Sequence, residues 1–296
     1  MAMDVAERFQ GTVINADSMQ VYKELRVVTA RPSIEDVKRV PHRLFGILDG
    51  RESCSAGHWT GLAVDEIRAA WEQGRLPILV GGTGMYLQAL SEGMSPIPDI
   101  PGSVRDQARV RYETLGAEAF HAEVARLDPD TAARLPVGDT QRLLRAWEVT
   151  THTGRAFSAW QSEPRIKPLP SARFATIALE PPRAELYAAI ERRFSHMVEE
   201  GALDEVRDLL ALDIPADLPV MKAIGVPELA AFVRGEMTLE DAIAEAQKLS
   251  RNYAKRQLTW VRNQVHADYR LSAQYSKSFR EEIFSIVHQF LLTPPH

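Results

Sequence analysis

Thr12-Val-Ile-Asn-Ala-Asp-Ser-Met-Gln-Val-Tyr22 is the stretch from which the fold is read. It opens as a β-branched run, Thr12 to Ile14, of the kind that fits a buried strand. It then breaks into polar residues at Asn15, Asp17 and Ser18. In an open parallel sheet, ligands gather beyond the carboxyl ends of the strands, so Asp17 stands where a catalytic carboxylate is expected. The same residues also suit a chain turn or a cap. This stretch alone leaves the two readings about even.

A second strand is expected in Leu76-Pro-Ile-Leu-Val80, an apolar run suited to a buried parallel strand, with Pro77 near its start. Gly81-Gly-Thr-Gly84 then makes a tight turn, and Met85 to Leu90 opens a helix. Strand, glycine turn and helix together aim backbone N–H groups and a helix N-terminus at an anion, with the Thr83 hydroxyl as a further donor. Read blandly, the glycines only let the helix pack closely on the sheet. Phe174 to Leu179 returns to strand character and suggests re-entry into the sheet. Helical patterns fill most of the rest, with Ser33 and Asp36 forming a helix start and Gly11 ending a first helix over residues 1–10.

Ser95-Pro-Ile-Pro-Asp-Ile-Pro-Gly102 and the proline-bearing segment 162–170 bracket a stretch that is helical throughout. The expectation is an α/β core formed by residues 1–100 and 171–296, with a helical insertion domain at 101–170. No internal repeat interrupts this plan.

The chain has 296 residues, 45% hydrophobic and 25% charged, the make-up of an ordinary globular protein. No apolar run approaches the ~20 residues that span a bilayer. A single cysteine, Cys54, excludes an internal disulfide and fits a reducing cytoplasm. The eight histidines form no pair at ligand spacing, which leaves any metal ligands unknown.

The net charge of −5 argues weakly against nucleic acid, yet its distribution is uneven. Residues 199–217 carry −6, whereas 134–167 carry +3 and 248–270 carry +5. Two basic zones in an acidic chain permit a polyanion of RNA size to bind locally. In the first, Asp139 is a plausible helix cap, with Arg142 and Arg145 on one face. Arginines near a helix N-terminus oppose the helix dipole, a cost offset if they meet phosphates. A salt bridge from Arg145 to Glu148 is the plainer account. In the second, Arg251, Lys255 and Arg262 recur at helical spacing, with Tyr253, Leu258, Trp260 and Val261 interleaved.

Taken in order, Ile14-Asn-Ala-Asp-Ser-Met-Gln-Val-Tyr22, Thr29-Ala-Arg-Pro32, Pro41-His42, Pro77-Ile-Leu-Val-Gly-Gly-Thr-Gly84 and Tyr86 closely resemble the tRNA dimethylallyltransferases. So do Leu90-Ser-Glu-Gly93, Asp139-Thr-Gln-Arg-Leu-Leu-Arg-Ala146, Met221-Lys-Ala-Ile-Gly225 and Tyr253-Ala-Lys-Arg-Gln-Leu-Thr-Trp260. The resemblance runs from about residue 11 to residue 263.

It implies a parallel sheet of the P-loop NTPase kind flanked by helices. It further implies transfer of a dimethylallyl group from dimethylallyl diphosphate to N6 of the adenine just 3′ of the anticodon, tRNA position 37. By the family pattern Asp17 is the base and Thr83 its catalytic companion, with Gly81, Gly82, Thr83 and Gly84 on the diphosphate side. Asp17, Ser18, Met19, Gln20, Arg105, Gln141, Arg142, Leu143, Leu144 and Arg145 correspond to tRNA-contacting positions. Mg²⁺ is the implied cofactor, the anticodon stem-loop the partner, and a cytoplasmic monomer with no membrane attachment the expected state.

The chain departs from that pattern at its start. The family leads into Ile14-Asn-Ala-Asp-Ser18 through a strand, a Gly-x-x-x-x-Gly-Lys-[Ser/Thr] loop and a helix. Met1 falls inside that helix, so the first strand, the loop and its lysine are missing from this sequence. Val28 and Arg31 also stand where the family usually has Gly and Lys. The expectation is that the natural protein starts upstream; a chain complete at Met1 should be of low stability and transfer little. Two other classes compete: a tRNA-binding remnant without catalysis, and a nucleotide kinase, which leaves Asp139 to Ala146 unexplained and lacks its lysine.

Overall fold

The computed structural model describes residues 1–293, so the last three residues of the expected 171–296 segment lie outside it. The described chain divides into two compact units, one formed by residues 1–91 and 168 onward and the other by 92–167. The break falls before residue 101 because Met94 and Ile166 pair in an isolated antiparallel bridge, which ties both proline-rich connectors into the second unit.

The first unit begins with α1 (Ala2–Arg8), β1 (Gly11–Asn15), α2 (Ile34–Arg39), β2 (His42–Arg43), α3 (Ala56–Glu72), β3 (Leu76–Val80) and α4 (Gly84–Ser91). β1 is central in a parallel sheet of order β2-β1-β3, in register from Gly11 opposite Leu76 to Asn15 opposite Val80. All five residues of β1 are buried, because the alternating side chains serve two faces. Val13 packs with Ala6 and Val40 on one face; Ile14 joins Trp59, Ala63 and Ile67 of α3 on the other. Gly11 opens the strand rather than ending α1, whose C-cap is Phe9. The Ser33 and Asp36 capping box forms as expected, each residue satisfying the other's backbone amide. β3 is only half-buried along most of its length, less than its apolar sequence suggests.

The second unit contains α5 (Gly102–Leu127), α6 (Pro129–Arg134), α7 (Thr140–Thr153) and α8 (Phe157–Gln161). Gly116, at φ 75°, breaks α5 into two runs, because only a residue without Cβ adopts that conformation cheaply. Phe120, Val124, Leu143, Ala146 and Trp147 form its core.

The chain then returns to the first unit through β4 (Ile177–Leu179), α9 (Arg183–Glu199), α10 (Ala202–Ala211), α11 (Val226–Val233), α12 (Leu239–Gln264), β5 (Tyr269–Leu271) and α13 (Arg280–Leu292). β4 does not re-enter the β2-β1-β3 sheet. Its ladder partner is β5, in a separate two-stranded parallel sheet with Ile177 opposite Tyr269. Apolar residues of α9 to α12, among them Phe194, Val206, Leu229 and Ala246, share one core with Ile14 and Trp59. Each large side chain buried there contributes roughly 1.5–3 kcal/mol. α12 is thereby held on the side of the sheet where β1 and β3 end.

Candidate active site

β1 and β3 are parallel neighbours, so the turns that follow them lie at one edge of the sheet. The first is organised by Asn15, which is wholly buried. Its Oδ1 accepts the Asp17 amide at 2.8 Å, and its Nδ2 donates to the carbonyls of Asp17 (2.9 Å) and Leu44 (3.1 Å). Its own carbonyl takes the Trp59 indole N–H at 2.9 Å. A side chain with both donor and acceptor is needed to satisfy this turn. Asp17 Oδ1 in turn accepts the Met19 amide at 2.8 Å, so Asp17 does shape the turn. Burial pushes its carboxyl above the ordinary range, opposed by backbone bonds from Met19 and Gln20 and by the charge of Arg193.

The second turn comes within bonding distance of the first. Ala16 donates to the Val80 carbonyl at 2.8 Å and accepts the Thr83 amide at 3.2 Å. Thr83 Oγ1 accepts the Ser18 amide at 2.9 Å and donates to Ser18 Oγ at 3.3 Å. A Cβ on Gly81 would overlap the Ala16 carbonyl, so glycine is what permits this approach. Asp17, Ser18, Thr83 and Gly81 to Gly84 are therefore brought together. Met19 is partly packed on the core, while Gln20 reaches back to donate to the Thr29 carbonyl at 2.8 Å.

One face of α12 closes the site: Tyr253, Gln257 and Trp260, at spacings of four and three. Gln257 Nε2 donates to the Gly82 carbonyl at 3.1 Å. The Trp260 ring covers Gly84, leaving no room for a Cβ there. The Tyr253 hydroxyl meets Gln257 and Thr83, and burial pushes its pKa up. The sequence pattern shows α12 as a helix with a basic face but gives Tyr253 and Gln257 no place in a site; only their membership of a shared motif signals one. Arg193 and Glu205 carry no signal at all. Glu205 accepts three successive amides, from Arg26, Val27 and Val28 at 2.5, 2.8 and 2.9 Å, and so anchors the loop that follows Tyr22.

In the helical unit, Asp139 caps α7 through the Arg142 amide. Arg142 also pairs with Asp139 at 3.2 Å, and Arg145 with Glu148 at 3.3 Å, as its spacing suggests. Such pairs near the surface are worth ~0–1 kcal/mol, little against a competing phosphate. Arg105 and Gln141 are exposed, and Leu144 and Arg145 half-buried. Leu143 is wholly buried, so its side chain holds the core rather than facing a ligand. Among the described residues, no group of three or more His, Cys, Asp or Glu is placed to hold a metal ion.

The family model described as IPP transferase matches residues 20–264. The chain belongs to the IPP transferase family. The matched span takes in the glycine turn, the helical unit and the closing face of α12. The chain is 55% identical over 267 residues to a tRNA dimethylallyltransferase of Rhodospirillum centenum, covering 90% of this chain and 85% of that one. To a protein of the same name from Paramagnetospirillum magneticum it is 51% identical over 295 residues, covering 100% and 93%.

Among solved structures, the tRNA isopentenylpyrophosphate transferase of Bacillus halodurans superposes with a TM-score of 0.70 at 34% identity, over 98% of this chain and 91% of that one. A eukaryotic dimethylallyltransferase acting on tRNA gives 0.82 at 25% identity, over 98% and 75%. The parallel sheet flanked by helices is thus the fold of solved IPP transferases.

Proposed function

We propose that this IPP transferase transfers a dimethylallyl group from dimethylallyl diphosphate to N6 of the adenine at tRNA position 37. The observation that carries the reading is the half-buried Asp17 carboxyl in a turn whose next residue, Ser18, bonds the Thr83 hydroxyl, in a chain whose relatives are tRNA dimethylallyltransferases. The lone pair of an exocyclic adenine amine is delocalised into the ring, so the amine needs help to attack. As the N6–C1 bond forms, the C1–O bond to the diphosphate breaks and the N6 proton passes to the Asp17 carboxylate. The diphosphate departs with the electron pair, and Thr83 with the backbone of Gly81, Gly82 and Gly84 forms the side that receives its charge. A paired or stacked adenine cannot reach Asp17, so the base must be turned out of its stack.

Ser18, Met19 and Gln20 beside Asp17 would meet the extruded nucleotide. Arg105, Gln141, Arg142, Leu144 and Arg145 of the insertion would meet the anticodon stem-loop, with Leu143 serving through the helix it anchors. Mg²⁺ would enter with the diphosphate. The described side chains form no cage of three or more His, Cys, Asp or Glu for it, so diphosphate oxygens and water would complete its shell, and the ion would offset the charge of the leaving diphosphate. The same reading has the protein act as a monomer in the cytoplasm. Among the described residues, no helix is long and apolar enough to cross a membrane.

The test uses the protein as its own cell makes it, dimethylallyl diphosphate labelled in the prenyl chain, Mg²⁺ and an unmodified tRNA transcript. Label is expected in N6-dimethylallyladenosine after nuclease digestion, and in nothing when the target adenine is replaced by guanine. A stem-loop that binds yet is never prenylated would overturn the reading in favour of a binding protein.

A further inference from the structure

The Gly82–Thr83 peptide unit is gripped from both sides. Its carbonyl accepts Gln257 Nε2 at 3.1 Å, and its N–H donates to the Ala16 carbonyl at 3.2 Å. The Ala16–Asp17 peptide unit continues the run, its N–H donating to Asn15 Oδ1 at 2.8 Å. Two planar peptide units and two hydrogen bonds therefore connect a side chain of α12 to the backbone of both Thr83 and Asp17, and a third bond ties the run to Asn15. A peptide unit is rigid, so fixing its carbonyl and its N–H fixes the orientation of its plane and narrows the freedom of the residue that follows. Bonds arranged head to tail also polarise one another. Tyr253 and Trp260 flank Gln257 against Thr83 and Gly84, which leaves this helix face little freedom to move away.

We propose that Gln257 is a positioning residue, acting through these two peptide units to hold the Thr83 hydroxyl and the Asp17 carboxylate in register. Its catalytic meaning rests on the transferase reading; the relay itself does not. Gln257 is not a catalytic residue, since it acts through the Gly82 carbonyl and not on the reacting atoms.

The test compares wild type with Gln257→Glu, which keeps the shape and replaces the donor by a carboxylate. The maximal transfer rate is expected to fall about tenfold or more while the KM for tRNA stays within about twofold. Amide protons of Thr83 and Asp17 are expected to exchange with solvent about tenfold faster or more. In a Thr83→Val background the same substitution should cost less, because the hydroxyl that the relay positions is already gone. Gln257→Met removes the donor without adding charge and should reproduce the result if the Glu variant folds poorly. Unchanged exchange, strictly additive losses, or a loss confined to KM would overturn the proposal. A wild-type protein that transfers nothing overturns the transferase reading instead, and exchange at Thr83 and Asp17 still decides the relay.

Discussion

Ser18 donates its backbone amide to Thr83 Oγ1 at 2.9 Å, so a residue from the turn after β1 depends on a side chain from the turn after β3. Thr83→Val keeps the shape of the side chain and removes the acceptor. The Ser18 amide, half-buried, then loses its partner, at a cost of about 1–2 kcal/mol. Urea unfolding should show that loss, and single-turnover transfer should fall about tenfold or more, with affinity for the anticodon stem-loop within about threefold. Transfer at the wild-type rate would remove Thr83 from the chemistry.

Asp17 should cost the protein stability at the pH where it works. Burial raises its carboxyl above the ordinary 3.8, so the folded chain holds this proton more tightly than the unfolded chain does. Its contribution to stability is therefore present at low pH and declines as the pH climbs from the ordinary value through the raised one. Asp17→Asn keeps an oxygen for the Met19 amide and carries no charge. The variant should match or exceed wild-type stability above that window while losing transfer, with stem-loop binding retained. The wild-type rate should drop on the acid side as Asp17 takes up its proton. A variant less stable than wild type across the whole range would mean that the ionised carboxylate supports the fold.

The glycine turn makes a graded prediction. At Gly81 a Cβ would meet the Ala16 backbone, which cannot yield without moving β1; at Gly84 it would meet the Trp260 ring. Gly81→Ala should therefore be the more damaging, by about 1–3 kcal/mol of overpacking that nothing relieves. Gly84→Ala should be rescued in part by Trp260→Leu, which clears the ring. Thermal unfolding of the single and double variants decides this, and equal losses with no rescue would place the obstruction elsewhere.

Much of this site is legible in the sequence because it is local. A β-branched run followed by Asn15, Ala16, Asp17 and Ser18, and an apolar run followed by three glycines, each announce a strand and a polar turn within about ten residues. What those patterns do not announce is anything settled by distant partners. β4 has strand character, yet its pairing with β5 instead of β3 depends on a segment some ninety residues further on. Gln257 and Glu205 are polar residues on amphipathic helices, and nothing in their spacing separates a solvated side chain from one that grips backbone more than 170 residues away. Leu143 shows the converse: a residue inside the Asp139 to Ala146 stretch that carries the family resemblance lies in the core of its own unit.

Asp128 carries the last prediction, and it concerns the helical unit alone. The residue is buried, and its carboxylate accepts both the amide and the hydroxyl of Thr131 (3.0 and 2.7 Å) and both the amide and the hydroxyl of Ser158 (2.8 and 2.7 Å). Burial alone would push its pKa up; those four bonds outweigh it and hold the carboxyl below its ordinary 3.8. A depressed carboxyl contributes stability that is complete above the unfolded value and is lost as the pH falls through the folded one. Asp128→Asn puts an NH₂ group where two donors already point, and should cost about 2–4 kcal/mol. Denaturant unfolding followed by the fluorescence of Trp147 and Trp160 should show that loss at neutral pH. The gap between variant and wild type should narrow below the ordinary carboxylate range, where the wild-type carboxyl itself becomes protonated. A gap that stays constant down to the lowest pH would mean that shape, and not charge, makes Asp128 the joint between α6 and α8.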